Sequence, residues 1–83
     1  MVSKKQKRLE KMLQNPQDWT LQDLVLIAFE HGFEVRQGKG SHAVFTSPLG
    51  VSQAIPEHRP VKAVYVKKLL EMIEEVISRE AQA

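Results

Sequence analysis

The stretch that decides the fold runs from residue 33 to residue 56 and reads FEVRQGKGSHAVFTSPLGVSQAIP. Three runs in it combine alternating polarity with β-branched or aromatic residues, and they are 33–37, 41–46 and 51–55. Runs of this kind predict strands. Gly38-Lys39-Gly40 joins the first two, and Ser47-Pro48-Leu49-Gly50 joins the last two with residues that favour a type I turn. Connections this short favour an antiparallel meander, and Pro56 is expected to end the third strand.

Helical patterns flank this stretch on both sides. Thr20 and Asp23 fit a capping box, which predicts a helix over 21–31 that ends at a glycine. Apolar residues over 66–77 recur at spacings of three and four, which predicts a long final helix. Residues 19–83 are therefore predicted to form an α-β-β-β-α domain, a two-layer α+β fold with both helices on one face of a three-stranded antiparallel sheet.

Residues 1–18 lie outside this pattern. Ser3 and Gln6 fit a second capping box, which predicts an extra N-terminal helix. That helix should end near Asn15-Pro16, because the residue before a proline disfavours the helical region. Its apolar stripe is thin, so it must dock on the domain to be stable.

Composition excludes several classes of protein. A chain of 83 residues has room for one domain. The absence of cysteine excludes disulfides, thiolate nucleophiles and cysteine-based metal sites. The sequence has no apolar run of about 18 residues, and its basic first residues precede no apolar stretch. We therefore expect a cytoplasmic protein that has no membrane association and needs no cofactor.

Positive charge is concentrated in the middle of the chain. The basic residues between positions 36 and 68 are Arg36, Lys39, Arg59, Lys62, Lys67 and Lys68, against the single acid Glu57. Such a block is either a phosphate-binding surface or an ordinary solvated face. The final helix is basic in its first half and acidic in its second, against the preference of the helix dipole. Either an anion bound at its start or charge pairing within the helix would account for this order.

The three histidines are the strongest candidates for chemistry. His31 ends a helix, where a cationic side chain would complement the C-terminal dipole, so we expect a structural role. His42 follows Gly38-Lys39-Gly40-Ser41, in which glycines allow a close backbone approach and Lys39 adds a cation. A histidine there can exchange a proton with a phosphodiester near neutral pH, although a half-exposed strand histidine is the plainer interpretation. His58 lies between two prolines and is either positioned or simply solvated.

No histidine pair has metal-ligand spacing, so no metal site is expected. The glycine-lysine pattern also lacks the helix that a phosphate-binding P-loop requires, which argues against a nucleoside triphosphatase.

Several short motifs together resemble the HicA family of toxins, from HicAB toxin–antitoxin systems. They are Gly32-Phe33, Gly40-Ser41-His42, Ile55-Pro56-x-His58 and a basic helix start. The resemblance spans residues 19–75 and implies a double-stranded-RNA-binding-like fold. It also implies an endoribonuclease that cleaves mRNA and is held inactive by a HicB antitoxin, with His42 as the catalytic histidine. The chain departs from the family at Val64-Tyr65, where members often have Gly-Thr.

If this activity is present, the other candidate residues take roles around His42. Lys39 and the backbone amides of Gly40 and Ser41 would hold the phosphate, and His58 would be an auxiliary acid or base. The more distant RNA phosphates would be bound by Arg59, Lys67 and Lys68. Two other functions stay open, namely a non-catalytic RNA-binding module on the same fold and a protein-interaction domain.

Overall fold

The computed structural model describes residues 4–82. In chain order the elements are α1 (Lys4–Gln14), α2 (Leu21–Glu30), β1 (Glu34–Gln37), β2 (His42–Thr46), β3 (Ser52–Pro56) and α3 (Ala63–Gln82). The predicted α+β architecture and the order of its elements are confirmed. The capping box predicted at Ser3 lies outside the described residues. No helix in the described part of the chain is long and apolar enough to cross a membrane.

The sheet is the predicted antiparallel meander, in the order β1-β2-β3. Val35 pairs with Phe45, and Ala43 pairs with Ile55, on the face that the helices cover. Successive side chains alternate between the two faces of a strand. The opposite face carries no helix, and we refer to it as the open face. Its side chains are Glu34, Arg36, His42, Val44, Thr46, Ser52, Ala54 and Pro56.

The turn between β2 and β3 forms as its sequence predicts. The Gly50 amide donates to the Ser47 carbonyl at 2.9 Å, and the Ser47 hydroxyl accepts from the amides of Leu49 and Val51. Gly50 has φ of 85°, which favours glycine. The third strand was predicted over 51–55, with Pro56 just beyond it. This boundary is wrong, because β3 includes Pro56 as its last residue. An edge strand tolerates proline where its missing N–H would have pointed away from the sheet.

Local signals at both ends of α2 act as predicted. Thr20 and Asp23 form the reciprocal capping box, with hydrogen bonds of 3.2 and 3.0 Å. At the other end Gly32 has φ of 80°, the Gly32 amide donates to Phe29, and the Phe33 amide donates to Ala28. This pair of bonds is a Schellman motif. It turns the chain directly from α2 into β1 and so positions the first strand.

The three helices pack against one another over the covered face of the sheet. α1 docks as its thin stripe requires, burying Leu9 and Met12 in the same core as the other helices. Arg8 of α1 forms an ion pair with Glu30 of α2, and this pair is partly buried. The largest core contribution comes from α3, through Val66, Leu69, Leu70, Ile73 and Val76. The N-terminal extension and the α-β-β-β-α unit therefore share one core.

Candidate functional site

The candidate site begins at the loop between β1 and β2. The Gly38 amide donates to the His42 carbonyl at 2.8 Å and closes the loop. Gly40 has φ of 63°, and a Cβ there would meet no atom within 4 Å, so backbone conformation rather than space favours glycine. Neither the Gly40 nor the Ser41 amide donates a hydrogen bond within residues 4–82. Two adjacent amides are therefore available to an anion.

His42 is the first residue of β2, and its side chain lies on the open face. The imidazole is exposed and makes no hydrogen bond within the described residues, so both ring nitrogens can reach a ligand. Lys39 is exposed in the adjoining loop. The structure thus places an exposed imidazole, a cation and two backbone amides without a partner within one hairpin.

The pairing of β2 with β3 places the loop that contains His58 beside the start of β2, where His42 lies. His42 pairs with Pro56 across β2 and β3, and the Glu57 amide donates to the Ser41 carbonyl at 2.7 Å. The His58 amide then donates to the Pro56 carbonyl at 3.0 Å, which makes a tight turn. His58 and Arg59 are both exposed. These two predicted residues therefore lie on the loop that borders the His42 hairpin.

The cations of this region form no ion pair with an acid in the described part of the chain. Among residues 4–82 the only ion pairs are Arg8 with Glu30 and Arg79 with Glu75. Arg36 was not singled out from the sequence as a site residue, yet it lies on the open face with His42. Counting back through the predicted hairpin would have identified it, because Arg36 pairs with Val44, two residues from His42.

Lys67 and Lys68 are exposed on the first half of α3. The Lys68 ammonium lies 5.7 Å from the centroid of the Tyr65 ring, a cation–π contact. No hydrogen bond or ion pair in the described chain links either lysine to the His42 hairpin. Neither lysine forms an ion pair with Glu71 or Glu75 in this part of the chain, and Glu75 pairs instead with Arg79.

His31 is structural, but not for the reason its position suggested. The side chain is buried at the end of α2, and its Nε2 has no hydrogen-bond partner within residues 4–82. Burial lowers the pKa of His31, and Lys5 lowers it further, while Glu30 and Glu80 oppose the change. The expectation of a cation is wrong, because the folded state favours the neutral imidazole.

Other possible sites lie away from His42. A cavity of about 430 Å³ lies at the opposite end of the sheet and is lined by Leu49, Val51 and Met72 with three charged residues of α3. Residues 4–82 contain no cluster of three or more histidine, aspartate or glutamate side chains that could hold a metal ion. The candidate residues around His42 are all exposed and so lie on an open surface, which suits a polymer better than a small molecule; they are Lys39, Gly40, Ser41, His42, His58 and Arg59.

No family model, curated protein or solved structure matches the chain significantly.

Proposed function

We propose that this chain is a metal-independent endoribonuclease of the HicA toxin type, with a double-stranded-RNA-binding-like fold. It would cleave mRNA in the cytoplasm and be held inactive by a HicB-like antitoxin. One observation carries the proposal, namely the exposed His42 beside two unused amides and Lys39 in a single hairpin. The Gly40-Ser41-His42 and Pro56-x-His58 motifs, which resemble the HicA family, support the same assignment.

The chemistry follows from the substrate, because RNA carries its own nucleophile in the 2′-hydroxyl. His42 as neutral imidazole takes the 2′-hydroxyl proton, and the 2′-oxygen forms a bond to phosphorus. The bond from phosphorus to the 5′-oxygen breaks, and the imidazolium returns a proton to that oxygen. The products are a 2′,3′-cyclic phosphate and a 5′-hydroxyl. His58, on the bordering loop, is the alternative donor of the proton that the 5′-oxygen receives.

Charge on the crowded phosphate must be stabilised during this step. The amides of Gly40 and Ser41 and the Lys39 ammonium are the groups nearest to His42 along the chain that can do so. Arg59, Lys67 and Lys68 would bind phosphates farther along the RNA through charge alone. This division predicts weak dependence on base sequence, because phosphate contacts do not distinguish bases.

The experiment compares the purified chain with His42→Ala on a labelled RNA, in excess EDTA. We expect the unaltered chain to cut the RNA and His42→Ala to leave it intact. The free energy of unfolding should change by less than about 0.5 kcal/mol, because His42 is exposed. A matched substrate with a single 2′-deoxy sugar at the cut position should resist cleavage.

Three outcomes would contradict the proposal. Cleavage by folded His42→Ala would exclude His42 as the acid or base. Cleavage lost in EDTA and restored by magnesium would indicate a metal mechanism. RNA binding without cutting, equal in both chains, would favour the alternative of a non-catalytic RNA-binding module, which needs only the unpaired cations.

A further inference from the structure

We propose that two copies of this chain pair through their β1 strands and form one continuous six-stranded sheet. β1 is an edge strand, since the sheet order is β1-β2-β3. An edge strand presents backbone donors and acceptors that can pair with another strand. The inference concerns assembly and does not depend on whether the protein cleaves RNA.

The hydrogen-bond phase of β1 shows which backbone groups point outward. Gly38 bonds to His42, and bonded pairs in an antiparallel ladder recur at every second residue. Arg36 and Glu34 therefore direct their backbone groups toward β2. Val35 and Gln37 direct theirs away from the sheet, as does the Phe33 carbonyl. The Phe33 amide already donates a hydrogen bond to the Ala28 carbonyl.

These outward groups fit a second β1 related by a two-fold axis at Val35. In that arrangement Val35 of each copy donates to and accepts from Val35 of the other. The Gln37 amide of each copy donates to the Phe33 carbonyl of the other. The bonding requires Glu34 of one copy to lie opposite Arg36 of the second copy, and both side chains lie on the open face.

The charges select this register over its neighbours. Sliding one β1 by two residues along the other, in either direction, keeps the same backbone groups bonded. One of these registers places the Glu34 side chains of the two copies opposite each other, and the other does the same with the two Arg36 side chains. Like charges directly opposite each other destabilise a strand pair, whereas opposite charges stabilise it. β1 is therefore self-complementary in one register, as an isologous two-fold interface requires.

The helix side of the same edge supplies apolar surface. α2 packs on β1, yet its Leu26 and Phe29 are 45% and 57% exposed. Phe29 lines a groove with Phe33 and Val35, and this groove continues onto the open face at Glu34, Arg36, Thr46 and Ser52. A two-fold axis at Val35 would bring the two α2 helices together over the joined sheet. The apolar side chains that α2 leaves exposed would then be buried against each other.

Pairing at β1 would place both His42 side chains on one continuous open face. Using the usual strand spacing and rise per residue, the two imidazoles would lie about 25 Å apart. One RNA strand could then reach both hairpins along that face, because both His42 side chains lie on it.

The test is sedimentation equilibrium over a wide range of protein concentration. We expect the unaltered chain to form a dimer whose fraction rises with concentration. Glu34→Arg and Arg36→Glu should each raise the dissociation constant by at least about tenfold, because each places like charges opposite each other. An equimolar mixture of the two variants should recover the dimer as a heterodimer, which also shows that both variants are folded.

Matched controls make the same charge changes on α1, with Glu10→Arg and Lys11→Glu, and should leave dimerisation unchanged. Phe29→Gln should weaken the dimer without changing any charge. A chain that stays monomeric at every concentration would overturn the proposal, and the charged pair would then protect the edge from pairing. A dimer that neither charge reversal weakens, or a mixture that fails to recover it, would overturn it as well.

Discussion

The Glu57 amide donates a 2.7 Å hydrogen bond to the carbonyl of Ser41, the residue that immediately precedes His42. This bond extends the pairing of β2 with β3 beyond the last strand residue, Pro56. It fixes the loop that carries His58 against the hairpin that carries His42. Two histidines that are far apart in the sequence are thereby held on neighbouring segments.

The position of His58 leads to a prediction about the pH dependence of cleavage. We expect His58→Ala to slow cleavage and to remove one limb of the pH–rate profile, because a second proton carrier is lost. RNA affinity should change little. His42→Ala provides the comparison, since it should abolish cleavage at every pH. A His58→Ala profile that keeps both limbs would assign both proton transfers to His42 or to the substrate.

The unpaired cations predict how RNA binding responds to salt. Replacing Lys39 by Gln should weaken binding to unrelated RNA sequences by similar factors. It should also flatten the slope of log affinity against log salt by about 0.7, the value for one phosphate contact on a single strand. The same loss is expected for Arg59, Lys67 and Lys68. Fluorescence anisotropy at several salt concentrations measures both quantities.

A matched control for this series is Lys7→Gln, which removes an exposed charge from α1. Its slope should stay unchanged, because Lys7 is not among the proposed phosphate contacts. A Lys39→Gln variant that loses affinity for one RNA sequence only, at unchanged slope, would indicate base recognition instead.

The buried His31 predicts a loss of stability in mild acid. The folded-state pKa of His31 lies below its ordinary value of 6.5, chiefly because of burial. Well above pH 6.5, the imidazole of His31 is neutral in both the folded and the unfolded chain and does not contribute to the pH dependence of stability. As the pH falls below 6.5, His31 is protonated in the unfolded chain before it is protonated in the folded chain. The free energy of unfolding therefore decreases.

Thermal unfolding between about pH 7.5 and about pH 5.5 tests this expectation across the ordinary histidine range. His31→Gln should flatten the dependence, because the titrating group is removed. His58→Gln, at an exposed position, is the matched control and should leave the dependence intact. An equal acid loss in the His31→Gln chain would assign the effect to other groups.

The proposed antitoxin should act by covering the His42 face. The six cations between residues 36 and 68 attract a partner that presents carboxylates, and covering them requires no change of shape. A standard interface buries about 800 Å² per partner. The chain exposes 5724 Å² in all, so such an interface is large enough to cover the His42 hairpin together with the bordering loop at His58.

Hydrogen exchange of the free and the bound chain, using a HicB-like protein, tests this arrangement. We expect protection at residues 38–42 and 57–59. His42 should also become unreactive toward diethyl pyrocarbonate in the complex. Protection confined to α1, with His42 still reactive, would show that inhibition works without occlusion.

Much of the fold was predictable because its signals are local. Thr20 with Asp23 and the glycine at position 32 specify the two ends of α2 through hydrogen bonds within a few residues. The three strands and their turns follow from alternation and from glycine and proline at the turns. Their antiparallel order follows from short connections, which leave the chain few other arrangements.

The candidate site was predictable only in part. Lys39, Gly40, Ser41 and His42 are adjacent in sequence, so one hairpin loop was enough to group them. Arg36 joins them through strand register, and the loop that carries His58 joins them through the Glu57–Ser41 bond. Neither relationship lies within one continuous stretch of sequence. Both depend on strand register, which for Arg36 could be counted back through the predicted hairpin.

The sequence alone determined the element types, their order and the chemical character of the central block. Dihedral preferences, caps and hydrophobic periodicity act over a few residues and can be interpreted without knowing the packing. Only the tertiary structure decided that His31 is buried and favours its neutral form, that Arg8 pairs with Glu30, and that Pro56 lies within β3. Burial, desolvation and edge position arise when distant segments meet, so these properties belong to the packed molecule and not to any stretch of its chain.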